Sequence, residues 1–337
     1  MIDRMSDRPS ARDSAPAGPA LTVVSITPDR YETVRRTLRH VRAQTAHDQI
    51  ELLLIAPTRE MLEPDERELA EFRWVKIVEV GPLGATGEVR ARAVREASAP
   101  IVVFTEDHCF PEPGWAAALL ARHEGPWAAV GPVLRNANPE TMVSWADLVI
   151  GYGPWLAPGV AGPMDHLPGH NSSYKVSVLL EYGDQLAQLM EAESVLHWDL
   201  RRRGYELYLE PAARAAHTNF AHWTTFRPVQ VMNGRAFADT RRRGWPASKR
   251  LAFAAASPLI PVVRFVRAVR DAHRAGIPVG LLARAAPALA GGLLLDGVGQ
   301  MLGYAFGADD SLRVDLVCFE SHRVERNERE GAQRANL

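Results

Sequence analysis

Cysteine is almost missing from this chain. Cys109 and Cys318 are the only two among 337 residues, they lie far apart and neither sits in a CxxC pair, which excludes a disulfide framework and a cysteine-based zinc site. An excess of one charge is also missing. Lys and Arg total 39 against 40 Asp and Glu, a net charge of −1, so the globally basic surface of a nucleic-acid binder is excluded. Residues 1–20, MIDRMSDRPSARDSAPAGPA, lack the apolar run of a signal peptide. Their Pro, Ser, Ala and mixed-charge content predicts a disordered tail, and the expected location is cytoplasmic. No internal repeat is visible, which sets aside repeat architectures.

What remains is ordinary for a globular protein: 47% hydrophobic and 23% charged residues, in a chain long enough to bury a sizeable core. Five apolar runs read as strands: LTVVSIT (21–27), IELLLIA (50–56), WVKIVEV (74–80), IVVFT (101–105) and WAAVGPV (127–133). Helices read between them. In YETVRRTLRHVRAQT, Val34, Leu38 and Val41 share one face, and the Thr86-Gly87-Glu88 start of GATGEVRARAVREAS suits capping. This alternation predicts an α/β fold with a mostly parallel sheet flanked by helices.

The second half changes character. Residues 191–204 read as a helix, YELYLEP as a strand and AAHTNFAHW as a loop. Between 231 and 284, eleven Lys and Arg face only Asp239 and Asp271, a net +9. Within that stretch IPVVRFVRAVRDAHRAG is amphipathic, with Arg264, Arg267, Arg270 and Arg274 on one stripe and Val262, Phe265, Val266 and Val269 on another. Residues 285–307 are nearly uncharged, although Pro287, Asp296, Gln300 and many glycines favour an interfacial helix over a spanning one. The expected organisation is a tail (1–20), a catalytic-type domain (21–223), a helical region in contact with an anionic membrane surface (224–307) and a charged C-terminal tail (308–337).

Chemistry concentrates in IVVFTEDHCFPEPGW. A buried strand ends in Glu106, Asp107 and His108, and ligands of open α/β sheets bind beyond the carboxyl ends of strands. These three side chains suit Mg²⁺ or Mn²⁺, and His217, near Asn219 and His222, is a candidate further ligand. The loop LPGHNSSYK offers Gly169, His170, Asn171, Ser172 and Lys175 to an anion or a sugar hydroxyl. Glu193, on the helix after 191, is a candidate general base, while Glu191 faces elsewhere. Each has an inert alternative: a turn cap for Asp107, a plain turn for the loop, a solvated surface for Glu193 and a structural role for His217.

Together these segments resemble a family-2 glycosyltransferase of the GT-A fold over about residues 21–223. VVFTEDHCFPEPGW is similar to that family's metal strand and its Pro-x-Pro-x-Trp continuation, with Glu106 and His108 on the two Asp-x-Asp positions. GHNSSYK is similar to its sugar loop, and ESVLHWDLRRRGYELYLEPAARAAH to its base helix, following strand and closing histidine. The resemblance implies that Thr27 and Asp29 of the opening strand and loop touch the donor. The basic helices and the ending LGYAFG resemble the membrane-leaning part of bacterial members.

Two departures stand out. Ala56-Pro57 replaces the usual acidic pair after the second strand, and Ser194 replaces the Asp of the base motif. The implied reaction is inverting transfer of a sugar from a nucleoside diphosphate to a lipid-linked or small acceptor, with Glu193 as base and a divalent metal on Glu106, His108 and either Asp107 or His217. Two alternatives are a nucleotidyltransferase, whose Gly-rich loop is replaced here by Thr27-Pro28-Asp29-Arg30, and a non-catalytic membrane scaffold.

Overall fold

A computed structural model describes residues 18–84 and 86–335, so most of the expected N-terminal tail lies outside the described residues. The strands are β1 (Leu21–Ile26), β2 (Ile50–Ala56), β3 (Trp74–Glu79), β4 (Ile101–Thr105), β5 (Cys109–Pro111), β6 (Ala129–Asn136), β7 (Gly162–Met164), β8 (Ser173–Lys175) and β9 (Leu207–His217). Helices α1 (Tyr31–Arg42), α2 (Arg59–Leu62), α3 (Glu66–Leu69), α4 (Thr86–Glu96), α5 (Trp115–His123), α6 (Met142–Tyr152), α7 (Val176–Leu180), α8 (Gln185–Leu189) and α9 (Glu193–Arg202) lie between them. Six more follow the sheet: α10 (Trp223–Arg242), α11 (Ala247–Ala256), α12 (Ile260–Arg274), α13 (Val279–Phe306), α14 (Asp310–Ser321) and α15 (Arg323–Ala335).

The nine strands make one mixed sheet, ordered β3-β2-β1-β4-β8-β6-β9-β5, with β7 pairing β9. β1 to β4 are parallel. All of β2 and β4 is buried, and all of β1 except Ile26, as strands covered on both faces must be. Their alternation sorts the side chains into two cores. Leu53, Ile55, Val102 and Phe104 join one with Val89 and Val94 of α4; Leu52, Leu54 and Val103 join the other with Val34 and Leu38 of α1.

The first four predicted strands match the observed ones to within a residue. The fifth, β6, does not lie beside β4, because β8 inserts antiparallel between them. Three residues are too few to carry a strand pattern. β9 is longer than predicted and absorbs the first third of the expected loop. Its Ala-rich second half has poor strand propensity but is clamped between β6 and β5, a tertiary override of local preference. The clamp sets His217 opposite Cys109.

In the C-terminal half, α10 and α13 pack with their backbones in close approach. A Cβ on Gly299 would sit 2.2 Å from the Val231 carbonyl oxygen, and one on Gly303 2.4 Å from that of Arg235. By length and composition, α13 and the run Ala247–Arg274 could each cross a bilayer; their most apolar stretches are 33% and 17% buried. The charged segment expected as a tail instead forms α14 and α15, which fold back on the sheet. Arg313 pairs with Glu191 and Asp239, His322 with Asp29, and Arg323 with Asp147.

Candidate active site and metal centre

β4 ends at Thr105, and the turn to β5 carries Glu106, Asp107 and His108. The β9 register brings His217 to the same place. Nitrogen or oxygen atoms of Glu106, His108 and His217 lie within 4.8 Å of one another. Nε2 of His108 is 3.6 Å from Glu106 Oε1, and Nε2 of His217 is 3.4 Å from Glu106 Oε2.

Both imidazoles are held by their other nitrogen. Asp107 Oδ1 faces His108 Nδ1 at 2.9 Å. Asn219 faces His217 Nδ1 with its Oδ1, also at 2.9 Å, because its amide nitrogen already donates to Asn136 and to the His217 carbonyl. An acceptor at Nδ1 favours the Nδ1–H tautomer and turns the Nε2 lone pair toward Glu106, the arrangement of metal-ligating histidines; Tyr152 OH also lies 3.1 Å from His217 Nε2. His108 Nε2 is buried with no hydrogen-bond partner among the described residues, a cost that a cation would relieve.

Charge fits the same reading. Burial opposes ionisation of Glu106, but His108, His170 and His217 around it hold its carboxyl well below the usual range. Asn171 Nδ2 donates to its Oε2 at 2.8 Å, and Tyr152 OH at 3.0 Å. Burial, reinforced by Arg323, pushes His108 well below its ordinary value. One carboxylate and two imidazoles make a donor set suited to a divalent cation. Asp107 is not in this set. Its carboxyl lies behind the His108 ring, where burial and Glu106 push its pKa well up.

Across the cavity floor, Glu193 opens α9 packed so close to Gly169 that a Cβ there would lie 2.3 Å from Glu193 Cβ. Burial favours its neutral form, yet the ion pair with Arg90 outweighs this, with help from His170, and lowers its pKa. His170 Nδ1 stands between the two acids, 3.5 Å from Glu193 Oε1 and 3.9 Å from Glu106 Oε1. The cavity holding these groups measures about 1500 Å³ and opens beyond the carboxyl ends of β1 and β4.

Of the residues expected from sequence, Glu106, His108, His170, Asn171, Gly169, Glu193 and His217 converge. Others do not. Ser172 Oγ donates to Pro168 O, and Lys175 pairs with Ile101 at the far end of β4, its Nζ donating to Gly125 O. Thr27 and Asp29 follow β1 but hydrogen-bond to each other, and Asp29 Oδ2 is taken by His322. Glu191 is neither on a helix nor free: it accepts from Gly87 N at 2.6 Å and from Arg313 at 2.9 Å. Tyr152, Arg90 and Arg323 were missed. Nothing local marks Arg90 among the arginines of α4, whereas Tyr152, between two glycines in IGYGPW, carried a weak signal.

No protein-family profile and no curated sequence relative matches this chain. Solved structures do. The mannosyltransferase PcManGT from Pyrobaculum calidifontis, solved with GDP-Man and Mn²⁺, superposes with a TM-score of 0.51 at 16% identity, over 84% of this chain and 87% of that one. GalNAc-T7 with UDP, GalNAc and Mn²⁺ matches over 67% of this chain and 52% of that one (TM-score 0.47, 14% identity). S. aureus TarS 1–349 in complex with UDP matches over 84% and 90% (TM-score 0.42, 14% identity). The PcManGT superposition establishes the architecture: the sheet and its helices have a GT-A-like fold.

Proposed function

We propose that this chain is a glycosyltransferase that moves a sugar from a nucleoside-diphosphate donor to an acceptor hydroxyl with inversion. One observation carries the reading. Within a GT-A-like sheet, Glu106, His108 and His217 meet at the end of β4, with the Nε2 of His108 unpartnered and that of His217 met only by Glu106 and Tyr152 OH, in a cavity that also holds the buried carboxylate of Glu193. The PcManGT structure was solved with a nucleotide-sugar and Mn²⁺, which supports the donor class and the cation. Two imidazoles in the set favour Mn²⁺ over Mg²⁺, which prefers an all-oxygen shell. A bound divalent cation supplies charge neutralisation for the departing diphosphate.

The chain's own residues do the rest. Asn171 and Tyr152 fix the Glu106 carboxylate, and Asp107 and Asn219 fix the two rings. Glu193, ionised through Arg90, takes the acceptor's proton as its oxygen attacks the anomeric carbon. Glu191 is occupied by Gly87 and Arg313, so Glu193 is the carboxylate assigned to the proton, which suits a single, inverting displacement. Placement and fixed charge provide most of the acceleration, and proton removal about 10²–10⁴-fold.

Calorimetric titration of UDP, GDP and dTDP, with Mn²⁺ and then with EDTA, tests this. Binding of one nucleotide that needs Mn²⁺ and is lost in Glu106→Ala/His108→Ala is the expected result. Nucleotide binding indifferent to metal and to both substitutions sinks the metal assignment, and no binding at all sinks the function.

A further inference from the structure

The cavity has a second charged wall that the donor chemistry does not use. α12 lays its basic stripe along it, and Arg264, Arg267, Arg270 and Arg274 all line the space shared with Glu106 and Glu193. The wall is tied directly to the candidate centre. Arg264 Nη2 donates to Ile150 O at 3.2 Å, and a Cβ on Gly153 would meet that of Asp271 at 3.8 Å, so α12 rests on the segment whose Tyr152 holds Glu106. From Tyr152 the aromatic contacts run through Trp155 to His166, which lies in the fields of Arg267 and Asp271.

The arginines differ in how far they are neutralised. Arg264 is paired with the buried Asp296. Arg270 and Arg274 share one carboxylate, Asp271, at 3.2 and 3.9 Å, and both remain more than half exposed. Arg267 has no carboxylate within ion-pair distance among the described residues. Three guanidinium groups against one carboxylate leave an anion-seeking rim, and guanidinium forks match phosphate oxygens in pairs. Beside this rim the same helix exposes Val262 and Val266, each 64% accessible, with Leu259 at 66% just before it.

We propose, resting on the transferase reading above, that the acceptor carries a phosphate group and that Arg267, Arg270 and Arg274 seat it. The phosphate lies on the α12 wall, apart from the donor diphosphate at Glu106, His108 and His217, and orients the acceptor hydroxyl toward Glu193. The exposed valines and leucine suit the hydrocarbon of a lipid-linked phosphate; a soluble phosphate ester is the other source of the same chemistry.

The test uses the full chain saturated with Mn²⁺ and the nucleotide it binds best, so that the donor site is filled. Two probes are compared: glycerol phosphate by calorimetry, and phosphatidylcholine vesicles containing phosphatidic acid by flotation. The expected result is binding of at least one probe, weakened by about tenfold or more in Arg267→Gln/Arg270→Gln/Arg274→Gln. The same charge change at exposed positions outside the cavity, Arg243→Gln/Lys249→Gln/Arg284→Gln, should leave binding nearly intact, and both variants should bind nucleotide normally. Vesicle binding alone identifies a lipid-linked acceptor, and glycerol phosphate binding a soluble one. Failure of both probes, or equal loss in the two triple variants, overturns the proposal. Phosphate binding that follows this pattern in a protein that binds no nucleotide leaves the anion site standing and removes the transferase reading instead.

Discussion

Arg90 and Glu193 form an ion pair whose side chains are only 8% and 11% exposed, so the candidate base carries its counter-ion with it. Removing one member strands the other in a buried site, at a cost of about 3–5 kcal/mol. Arg90→Met should therefore unfold at markedly lower denaturant than wild type, and Arg90→Met/Glu193→Gln should cost less than the two single changes added together. A strictly additive double mutant, measured by urea denaturation, would show the pair to be energetically uncoupled.

The same pair fixes a pH dependence. Glu193 has its folded pKa below the ordinary 4.5, so its contribution to stability is present above that value and is lost as pH falls through the folded pKa. The acid limb of kcat/KM set by this base should likewise lie below 4.5. Glu193→Gln should keep donor binding and nearly abolish transfer; a parallel loss of both would make the residue structural.

Acid should weaken the fold through a buried histidine as well as through carboxylates. His197 is buried between Tyr174 and the Leu167 amide, and burial pushes its pKa from 6.5 to about 3. An unfolded chain takes up that proton near 6.5 while the folded one refuses it, so stability declines as pH falls from 6.5 towards 3. Tm measured across this range should drop, and His197→Gln should flatten the slope. An unchanged slope would assign the decline to other groups.

Asn219→Leu removes the acceptor that holds His217 Nδ1–H without touching a candidate ligand. Loss of such a support weakens metal affinity by about 10–100-fold. Mn²⁺ titration should show a drop of that size, smaller than the near-complete loss in His217→Ala. Equal affinity for Asn219→Leu and wild type would mean that the ring needs no support.

Much of the sheet could be read directly because β1, β2 and β4 are buried on both faces and so appear as unbroken apolar runs. The turn after β4 was equally legible, since three ligand-type residues at a strand end are conspicuous. His217 was harder: it depends on an alanine-rich stretch that becomes a strand only when β5 and β6 flank it. Asp107 reads as a ligand in the sequence, since adjacency cannot distinguish a ligand from a group that holds one from behind, as Asp107 holds His108. Arg90 and Arg323 were out of reach altogether, since an arginine's partner is chosen by the fold and neither segment carries a pattern that names Glu193 or Asp147.

The helices α14 and α15 hold no candidate ligand, yet Asn327 donates to the Asn219 carbonyl at 2.8 Å and accepts from Ala221 N at 3.0 Å, while Arg323 donates to Thr218 O at 3.2 Å. Through α15 they buttress the turn after His217 from outside the sheet. The pair is thus a separable key. A chain cut after Gly307 retains every strand and every donor atom but loses that buttress, and a peptide of residues 309–335 supplied in trans would be expected to restore Mn²⁺ affinity by docking alone.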